Sequence, residues 1–377
     1  MKAPRSRSWA VLLTVVVSVT GLTAQENSTS PYGINVHAPG GAELEFLFDK
    51  VEAASIGWVR IDFVWALIES QPDVYDWALY DDIVAAAEAR GLKVLATVAY
   101  TPDWATDGPP ISGVPLSVAD WEEFCFLAAG RYAETIHSWE VWNEPNLDHF
   151  WDGSRSEYID LILRPAADAI RAADPDAQIG GPALAHLISG DQDWYRWLLE
   201  VLELAGDRLD FATHHAYDSG GHEDVTEKLN ADTVFGNEPD LWDLVPPSTR
   251  EVLIEAGWFG QPFWLTETGW ATDEVSEAQQ AAYYEGFLSQ WFKGDPLQDW
   301  VDKVFFYVIQ DFTMPEIPLW GILRSDGSEK PAYAAYREFI DAHSVLIFED
   351  GFESGDLSRW AEATPFSGDG DAPRRPR

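Results

Sequence analysis

Two glutamates in this sequence stand where apolar runs end. Glu144 closes the stretch "SWEVWNE" and Glu267 closes "FWLTE", with tryptophans near both. A carboxylate in such surroundings costs free energy unless other groups compensate for it. If the two glutamates meet, one can act as an acid with a raised pKa while the other stays ionised. Such a pair is suited to cleaving a glycosidic bond.

This chemistry sets a distance between the two side chains. A carboxylate that attacks the sugar directly stands about 5 to 5.5 Å from the acid that protonates the leaving oxygen. Glu144 and Glu267 are far apart in the sequence, so only a fold that gathers strand ends can satisfy this distance. The alternative for each glutamate is a structural role, as a cap on a neighbouring helix or as the partner of an arginine.

Eight short β-rich runs recur along the chain, and longer stretches with helical spacing of apolar residues lie between them. The runs cover residues 32–37, 57–63, 93–100, 138–144, 177–183, 209–217, 263–267 and 304–310. Strands alternating with helices predict a parallel sheet, and eight such units predict an α/β fold of the (β/α)8, or TIM-barrel, type. A doubly wound open sheet is the alternative, but no GxGxxG fingerprint follows the first run. In a barrel, the ends of the fourth and seventh strands share one mouth.

The chain ends differ in composition from the middle. Basic residues precede an apolar stretch from Trp9 to Leu22, which predicts a signal peptide over residues 1–24 and a secreted or periplasmic protein. We expect the barrel to occupy residues 25–343. Residues 344–377 are rich in Gly, Ser, Asp, Pro and Arg, and we expect a tail outside the barrel.

The net charge of the chain restricts the kinds of molecule that it can bind. With 24 basic and 64 acidic residues the formal net charge is −40, which disfavours nucleic acid, anionic membranes and polyanions and favours a neutral oligo- or polysaccharide. Cys125 is the single cysteine, so no internal disulfide forms. No HExxH, CxxC or P-loop motif is present, and we expect neither a metal nor a cofactor.

Several motifs together resemble those of one superfamily. "WNEPN" and "TETGW" are similar to the acid/base and nucleophile motifs of the retaining glycoside hydrolases of clan A, which are (β/α)8 barrels. "VRIDFVWALIE", "YTPDWA" and "HHAY" resemble segments of strands two, three and six in relatives of families thirty-nine and five. The resemblance covers residues 32–343.

The resemblance implies roles for the residues at these motifs. Glu144 would be the acid/base, Glu267 the nucleophile, and Asn143 would hold the sugar 2-hydroxyl. Three further residues would support the catalytic pair or contact the substrate. Tyr217 would donate to Glu267 and orient it, His215 would contact the substrate, and Arg60 would pair with Glu267 and keep it charged.

Aromatic residues at or just past strand ends are candidates for stacking on sugar rings. They are His37, Trp65, Tyr100, Trp104, Trp270 and Trp320. The clan usually has an aromatic platform at the end of strand eight, but "FFYVIQDF" has no tryptophan. Tyr307, Gln310 or Trp320 would replace it.

The resemblance implies a retaining β-glycosidase, either xylosidase-like or endo-glycanase-like. Two alternatives use the same residues differently. One is a catalytically silent carbohydrate-binding barrel, and the other is a transglycosylase that uses a sugar acceptor in place of water.

Overall fold

The computed structural model of the chain describes residues 30–349, except 38–39, 188–192, 219, 237, 293–296, 298–299 and 315. Within this part, eight parallel strands form a closed barrel in sequence order, which confirms the predicted fold class. The strands are β1 Tyr32–Asn35, β2 Trp58–Val64, β3 Lys93–Ala99, β4 Ser138–Val141, β5 Gln178–Leu184, β6 Phe211–His215, β7 Phe263–Thr268 and β8 Lys303–Phe306. β8 pairs with β1 and closes the barrel.

Helices surround the barrel. They are α1 Gly41–Ala53, α2 Trp65–Ile68, α3 Ala78–Ala89, α4 Val118–Tyr132, α5 Arg155–Glu157, α6 Arg164–Ala173, α7 Trp194–Ala205, α8 His222–Asn230, α9 Thr249–Glu255, α10 Glu277–Phe292 and α11 Pro331–Glu349. A π-helical segment, Tyr158–Leu163, joins α5 to α6. None of the helices in the described residues is long and apolar enough to cross a membrane.

Local chemistry explains where several helices begin and end. The hydroxyl of Ser117 accepts from the backbone N–H of Asp120 at the start of α4. Ser276 and Gln279 bond to each other's backbone N–H groups before α10, which is a capping box. Gly91 follows α3 with φ 65°, a conformation that glycine adopts without strain.

Several predicted boundaries differ from the structure, and β1, β6 and β8 are shorter than the runs at 32–37, 209–217 and 304–310. β4 ends at Val141, three residues before Glu144, because the chain turns there. The last helix continues to Glu349, so residues 344–349 are helical where the sequence predicts a tail. The signal-peptide prediction for residues 1–24 and the rest of the tail, residues 350–377, lie outside the described residues.

The long segment between β6 and β7 is an insertion that carries two helices. The sequence predicts a loop over one barrel face from Asp218 to Gln261, and α8 and α9 both lie in this range. Val225 and Leu229 of α8 are fully buried. This apolar burial attaches α8 to the barrel.

Aromatic rings fill the barrel interior below its mouth. Trp58, Leu95, Phe211, Trp264 and Phe305 form a buried cluster separate from the main core, and we call it the barrel floor. The rings of Phe211 and Trp264 are stacked with centroids 3.9 Å apart.

Two glycines make room for the floor. An added Cβ on Gly33 of β1 would lie 2.3 Å from the ring of Phe305, and one on Gly180 of β5 would lie 2.0 Å from the ring of Phe211. Only glycine therefore fits against these rings. The floor is apolar, and the polar residues of the barrel interior lie in the layers above it.

Candidate active site

The mouth of the barrel carries an unusual backbone. Tyr100, Trp142 and Glu144 follow β3 and β4 with φ of 77°, 70° and 44°. Non-glycine residues in this region carry strain, and such residues often mark functional sites. Backbone hydrogen bonds hold the turn, since Glu144 N–H donates to the carbonyl of Ala183 at 2.9 Å. The turn directs the Glu144 side chain toward the barrel axis.

Glu144 and Glu267 meet across the mouth, as the sequence predicts. A carboxylate oxygen of each, together with a ring nitrogen of His215, lies in a group of atoms that are all within 4.8 Å of one another. Their side chains are 13% and 10% exposed, so both can be reached from solvent. This separation is closer to the about 5 to 5.5 Å of a pair that attacks directly than to the about 6.5 to 9.5 Å of an inverting pair.

Arg60 of β2 is the centre of the hydrogen-bond network beneath the two glutamates. Its guanidinium donates to Glu140 at 2.7 Å, to Glu267 at 2.7 Å, and to Asn35 and Asn143 at 2.9 Å each. Burial lowers the pKa of Arg60, but the carboxylates of Glu140 and Glu267 outweigh this and the pKa is raised. Arg60 therefore carries a permanent positive charge in the site.

Glu267 accepts hydrogen bonds on both carboxylate oxygens. Arg60 donates to Oε1 and the hydroxyl of Tyr217 donates to Oε2, each at 2.7 Å. Burial raises the pKa of Glu267, while His215, Arg60 and the Tyr217 hydroxyl act against this rise. The predicted pairing with Arg60 is present, but it does not hold the pKa below the ordinary value. These donors favour the ionised form that a nucleophile needs.

Asn143 lies beside Arg60 with its amide orientation fixed. Arg60 donates to Oδ1 of Asn143, so the amide NH₂ group remains as the donor toward a ligand. The contact with a sugar 2-hydroxyl stays a prediction.

His215 lies between the two glutamates. Its Nδ1 is 2.9 Å from Oε1 of Glu144 and 3.5 Å from Oε2 of Glu267. Burial lowers the pKa of His215, but Glu267 and Glu144 outweigh it and the pKa is raised. The side chain is 0% exposed, so the predicted contact of His215 with substrate is wrong. His215 is a positioning residue that faces both carboxylates.

The preceding residue, His214, lies in an environment that lowers its pKa, unlike that of His215. Its Nε2 lies 2.9 Å from Nδ1 of His186, away from the glutamates. Burial is the main cause that lowers the pKa of His214 well below its ordinary value and that of His186 to about 3, and the charge of Lys228 contributes to both. Of the two adjacent histidines, His215 is therefore the one that contacts the glutamates.

Some of the predicted aromatic residues border the mouth. Burial raises the pKa of Tyr100 and Tyr307, and the charges of Glu267 and Glu144 raise both further, which places both rings near the glutamates. Trp320 is half-buried, with its ring centroid 4.9 Å from that of Tyr217. His37 is exposed and its ring lies 5.6 Å from that of Tyr307. Of the three candidates for the missing platform, Tyr307 and Trp320 border the mouth, and their contact with a sugar ring stays a prediction.

Other predicted aromatic residues are core. Trp65 is 0% exposed and packs on Trp121 and Phe124, so its predicted sugar contact is wrong. β2 ends just before it, and α2 carries the ring into the helical layer. Trp270 is 2% exposed and packs on Tyr284, but it also borders the cavity next to Tyr217 and Trp320, so its contact with a sugar stays a prediction.

The last two candidates are engaged in loop contacts. The indole N–H of Trp104 donates to the carbonyl of Glu69, and the Gln310 amide donates to the carbonyls of Arg324 and Ser325. Neither residue is brought to the glutamates by any contact in the described part of the chain.

Sequence reasoning missed four polar residues that face the barrel interior. Asn35 and Glu140 bond Arg60 from opposite sides, and Thr97 also donates to Glu140 at 2.9 Å. Asp62 pairs in register with Thr97, so it points inward too, and it is partly exposed. Its carboxylate adds to the raised pKa of Tyr100 and Tyr307. The sequence signal that could have identified these residues is a polar residue at alternate positions of an otherwise apolar strand.

Two cavities lie next to segments that follow the barrel strands. One of about 400 Å³ is bordered by Pro145, Asn146 and Trp151, which follow Glu144. Another of about 340 Å³ is bordered by Tyr217, Asp218 and Trp320. Volumes of this size are typical of small-molecule sites. Neither cavity is bordered by the two glutamates themselves, and the second is connected to the pair through Tyr217, whose hydroxyl donates to Glu267.

Glu144, His215 and Glu267 are also the group of described residues whose spacing fits a metal ion. The oxygens of Glu267 are already bonded to Arg60 and Tyr217, and Nδ1 of His215 is bonded to Glu144. A cation there would be repelled by the Arg60 guanidinium at 2.7 Å from Glu267. The donor set therefore fits a pair of reacting carboxyl groups better than a metal.

Comparison with known proteins agrees with this geometry. Residues 115–274, fewer than half of the chain, match the model of Glycosyl hydrolases family 39, and this range contains both glutamates. A "Beta-xylosidase" of Geobacillus stearothermophilus is 28% identical over 236 residues, which are 59% of this chain and 45% of that protein. The chain thus spans about half the length of this curated relative.

Solved structures share the fold. A family 39 β-xylosidase from Caulobacter crescentus superposes with a TM-score of 0.63 at 22% identity, over 84% of this chain and 72% of that one. A GH5_18 protein from Streptomyces cattleya, solved with GlcNAc, gives a TM-score of 0.60 at 17% identity, over 89% and 82% of the two chains. In sequence and in fold the chain resembles clan A glycoside hydrolases of families 39 and 5, as its motifs predict.

Proposed function

We propose that this chain, whose sequence and barrel resemble those of clan A glycoside hydrolases, hydrolyses the O-glycosidic bond of a β-linked glycan with retention of configuration. The observation that carries the proposal is the approach of Glu144 and Glu267 within 4.8 Å across the barrel mouth. A pair at this distance suits a covalent glycosyl intermediate, whereas an inverting pair stands about 6.5 to 9.5 Å apart.

In the first step, Oε of Glu267 attacks the anomeric carbon. The bond from that carbon to the leaving oxygen breaks with its electron pair, and the proton of Glu144 moves to this oxygen. Arg60 and Tyr217 hold Glu267 in place for the attack. The product is a glycosyl ester on Glu267 and a free alcohol, the aglycone.

In the second step, Glu144, now a carboxylate, takes a proton from water. The water oxygen bonds to the anomeric carbon, the ester bond to Glu267 breaks, and the sugar leaves with its original configuration. The His215 ring contacts both carboxyl groups, and in its protonated form, which its raised pKa favours, it stabilises whichever of them is ionised. Two inversions together give net retention.

The substrate class follows from charge and from similarity. A net charge of −40 favours a neutral glycan over an anionic one. The similarity to a β-xylosidase supports a xylose unit at the attacked position, and the cavities next to the segments that follow Glu144 and β6 are compatible with an endo-acting glycanase. We rank the xylosidase-like activity first.

A set of glutamate variants tests the activity. Wild type, Glu267→Gln and Glu144→Gln would be assayed on 4-nitrophenyl β-glycosides and on β-xylan, β-glucan, mannan and galactan, with Glu88→Gln as an exposed control on α3. We expect a loss of at least about 10⁴-fold for Glu267→Gln, about 10²- to 10⁴-fold for Glu144→Gln, and none for the control.

Product analysis separates the competing mechanisms. NMR of the first product should show the β-anomer, and an α-anomer would contradict retention. Binding of a glycan by wild type without any turnover would support the silent barrel. Products longer than the substrate at high concentration would indicate transglycosylation.

We also propose that residues 1–24 direct export. The support is the basic start and the apolar stretch that ends at Leu22. Sequencing the N-terminus of protein recovered from the medium or periplasm tests this, and an intact Met1 on exported protein would contradict it.

A further inference from the structure

We propose that Lys228 is a positioning residue for catalysis, which acts on the nucleophile Glu267 through Tyr217. The proposal rests on the proposed function and deepens it, because it assigns a catalytic task to the insertion between β6 and β7. Lys228 lies on α8, inside that insertion.

The contacts of Lys228 are directed at the segment that follows β6. Its Nζ donates to the backbone carbonyl of Tyr217 at 2.6 Å and pairs with Oδ2 of Asp218 at 2.8 Å. The side chains of Lys228 and Asp218 are 31% and 26% exposed, so this ion pair is partly shielded from solvent. An ammonium group held by two acceptors fixes the backbone between them.

Tyr217 transmits this restraint to the nucleophile. Its hydroxyl donates to Oε2 of Glu267 at 2.7 Å, and the N–H of the preceding residue, Ala216, donates to the Glu267 carbonyl at 3.0 Å. Residues 216 and 217 are thus held by β7 on one side and by Lys228 on the other. The Tyr217 ring also meets Trp320, so its position affects the aromatic wall of the mouth.

The support of Lys228 is itself fixed. Thr226 of α8 donates through its hydroxyl to Gln290 of α10 at 2.7 Å, and Val225 and Leu229 on the same helix are fully buried. Lys228 therefore reaches Tyr217 from a packed helix. Residues that hold a reacting group need such a support, because small displacements cost rate.

A double-mutant cycle tests the proposal. We would compare Lys228→Met, Tyr217→Phe and the double variant with wild type. We expect Lys228→Met to lower kcat roughly 10- to 100-fold with little change in KM, because orientation of the nucleophile is lost while the sugar contacts remain. In the Tyr217→Phe background, Lys228→Met should cause little further loss, because the hydroxyl through which it acts is gone.

Two further variants complete the design. Lys228→Arg should recover part of the activity, since it retains a donor and the charge for Asp218. Lys50→Met is the matched control, because Lys50 has a similar 26% exposure and a 2.7 Å ion pair with Glu329 on the outer surface. This control should leave kcat unchanged.

A measurement independent of turnover accompanies the kinetics. Hydrogen exchange of residues 211–218 should accelerate in Lys228→Met and not in Lys50→Met, since Ala216 N–H loses part of its restraint. Equal losses of kcat in the wild-type and Tyr217→Phe backgrounds, or unchanged exchange, would overturn the proposal. An inactive wild type would instead overturn the proposed function, and the exchange result would still decide the role of Lys228.

Discussion

The hydroxyl of Tyr217 donates a 2.7 Å hydrogen bond to Oε2 of Glu267, the side chain that we propose as the nucleophile. Burial raises the pKa of Glu267, and this hydrogen bond is one of the contacts that oppose the rise. The ionisation of the nucleophile thus depends on a residue outside the strand that carries it.

Tyr217→Phe should move the acid limb of the kcat/KM profile to higher pH. Without the hydroxyl, the pKa of Glu267 rises further, so a higher pH is needed to ionise it, and we expect a shift of about one pH unit. The profile is measured with a 4-nitrophenyl β-glycoside that wild type cleaves. A limb at the wild-type position would contradict the role of this hydrogen bond.

Arg60→Met should destabilise the fold and abolish turnover. The substitution leaves the fully buried carboxylate of Glu140 without its partner, and we expect a loss of about 3–5 kcal/mol in the free energy of unfolding. The control is Arg90→Met, whose carboxylate partners are exposed, with an expected loss of at most about 1 kcal/mol. Urea titrations measure both, and similar losses would show that the buried network adds nothing.

His215→Asn should reduce stability more at moderately acidic than at alkaline pH. The pKa of His215 is raised by Glu267 and Glu144 against the effect of burial, so its charged form stabilises the folded state. This contribution is fully present below the unfolded pKa of about 6.5 and is lost as pH rises through the folded pKa. Urea titrations of wild type and variant at about pH 6 and about pH 9 compare the two conditions. A difference that grows with pH would contradict the charged form.

Trp320→Ala and Trp65→Ala should affect different properties, the first KM and the second the stability of the fold. Trp320 borders the cavity beside Tyr217, so its loss should raise KM roughly tenfold with little effect on stability. Trp65 is 0% exposed, so its loss should cost about 3–5 kcal/mol of unfolding free energy without a change in KM for the fraction that folds. Kinetics and thermal unfolding of the two variants provide the comparison. A raised KM in Trp65→Ala would restore it as a sugar contact.

Asp62→Asn should lower kcat/KM on neutral glycosides about 10- to 100-fold, since a charged acceptor for sugar hydroxyls becomes a weaker one. The amide has nearly the same shape, so the fold should be retained. Asp82→Asn, on the exposed face of α3, serves as the control. Equal kcat/KM for wild type and Asp62→Asn would remove Asp62 from the site.

The fold and the reacting pair were predictable because both depend on local patterns. Strand runs separated by helical periodicity specify a (β/α)8 barrel, and strand ends in a barrel converge on one mouth. Glu144 and Glu267 occupy such ends, and Arg60 and Tyr217 meet Glu267 as the motif resemblance implies.

The remaining roles depend on the direction in which a side chain points. That direction is determined by the structure that follows the strand and by packing, which the strand pattern does not show. Trp65 seemed to follow a strand end, but the short helix α2 begins at that residue and turns the ring outward. His215 lies on the expected face, yet complete burial makes it a partner of the glutamates instead of the sugar. Glu140 was hidden inside an apolar run, although its inward position follows from the same alternation that places Arg60.

The aromatic floor leaves no passage through the barrel, so substrate, water and products all use the mouth. Trp58, Phe211, Trp264 and Phe305 close the end opposite to the mouth. The departing alcohol and the incoming water must therefore use the same opening in turn. A sugar that is still bound at the mouth can react with the glycosyl ester before water does. The rate at which the first product dissociates therefore decides the balance between hydrolysis and chain elongation.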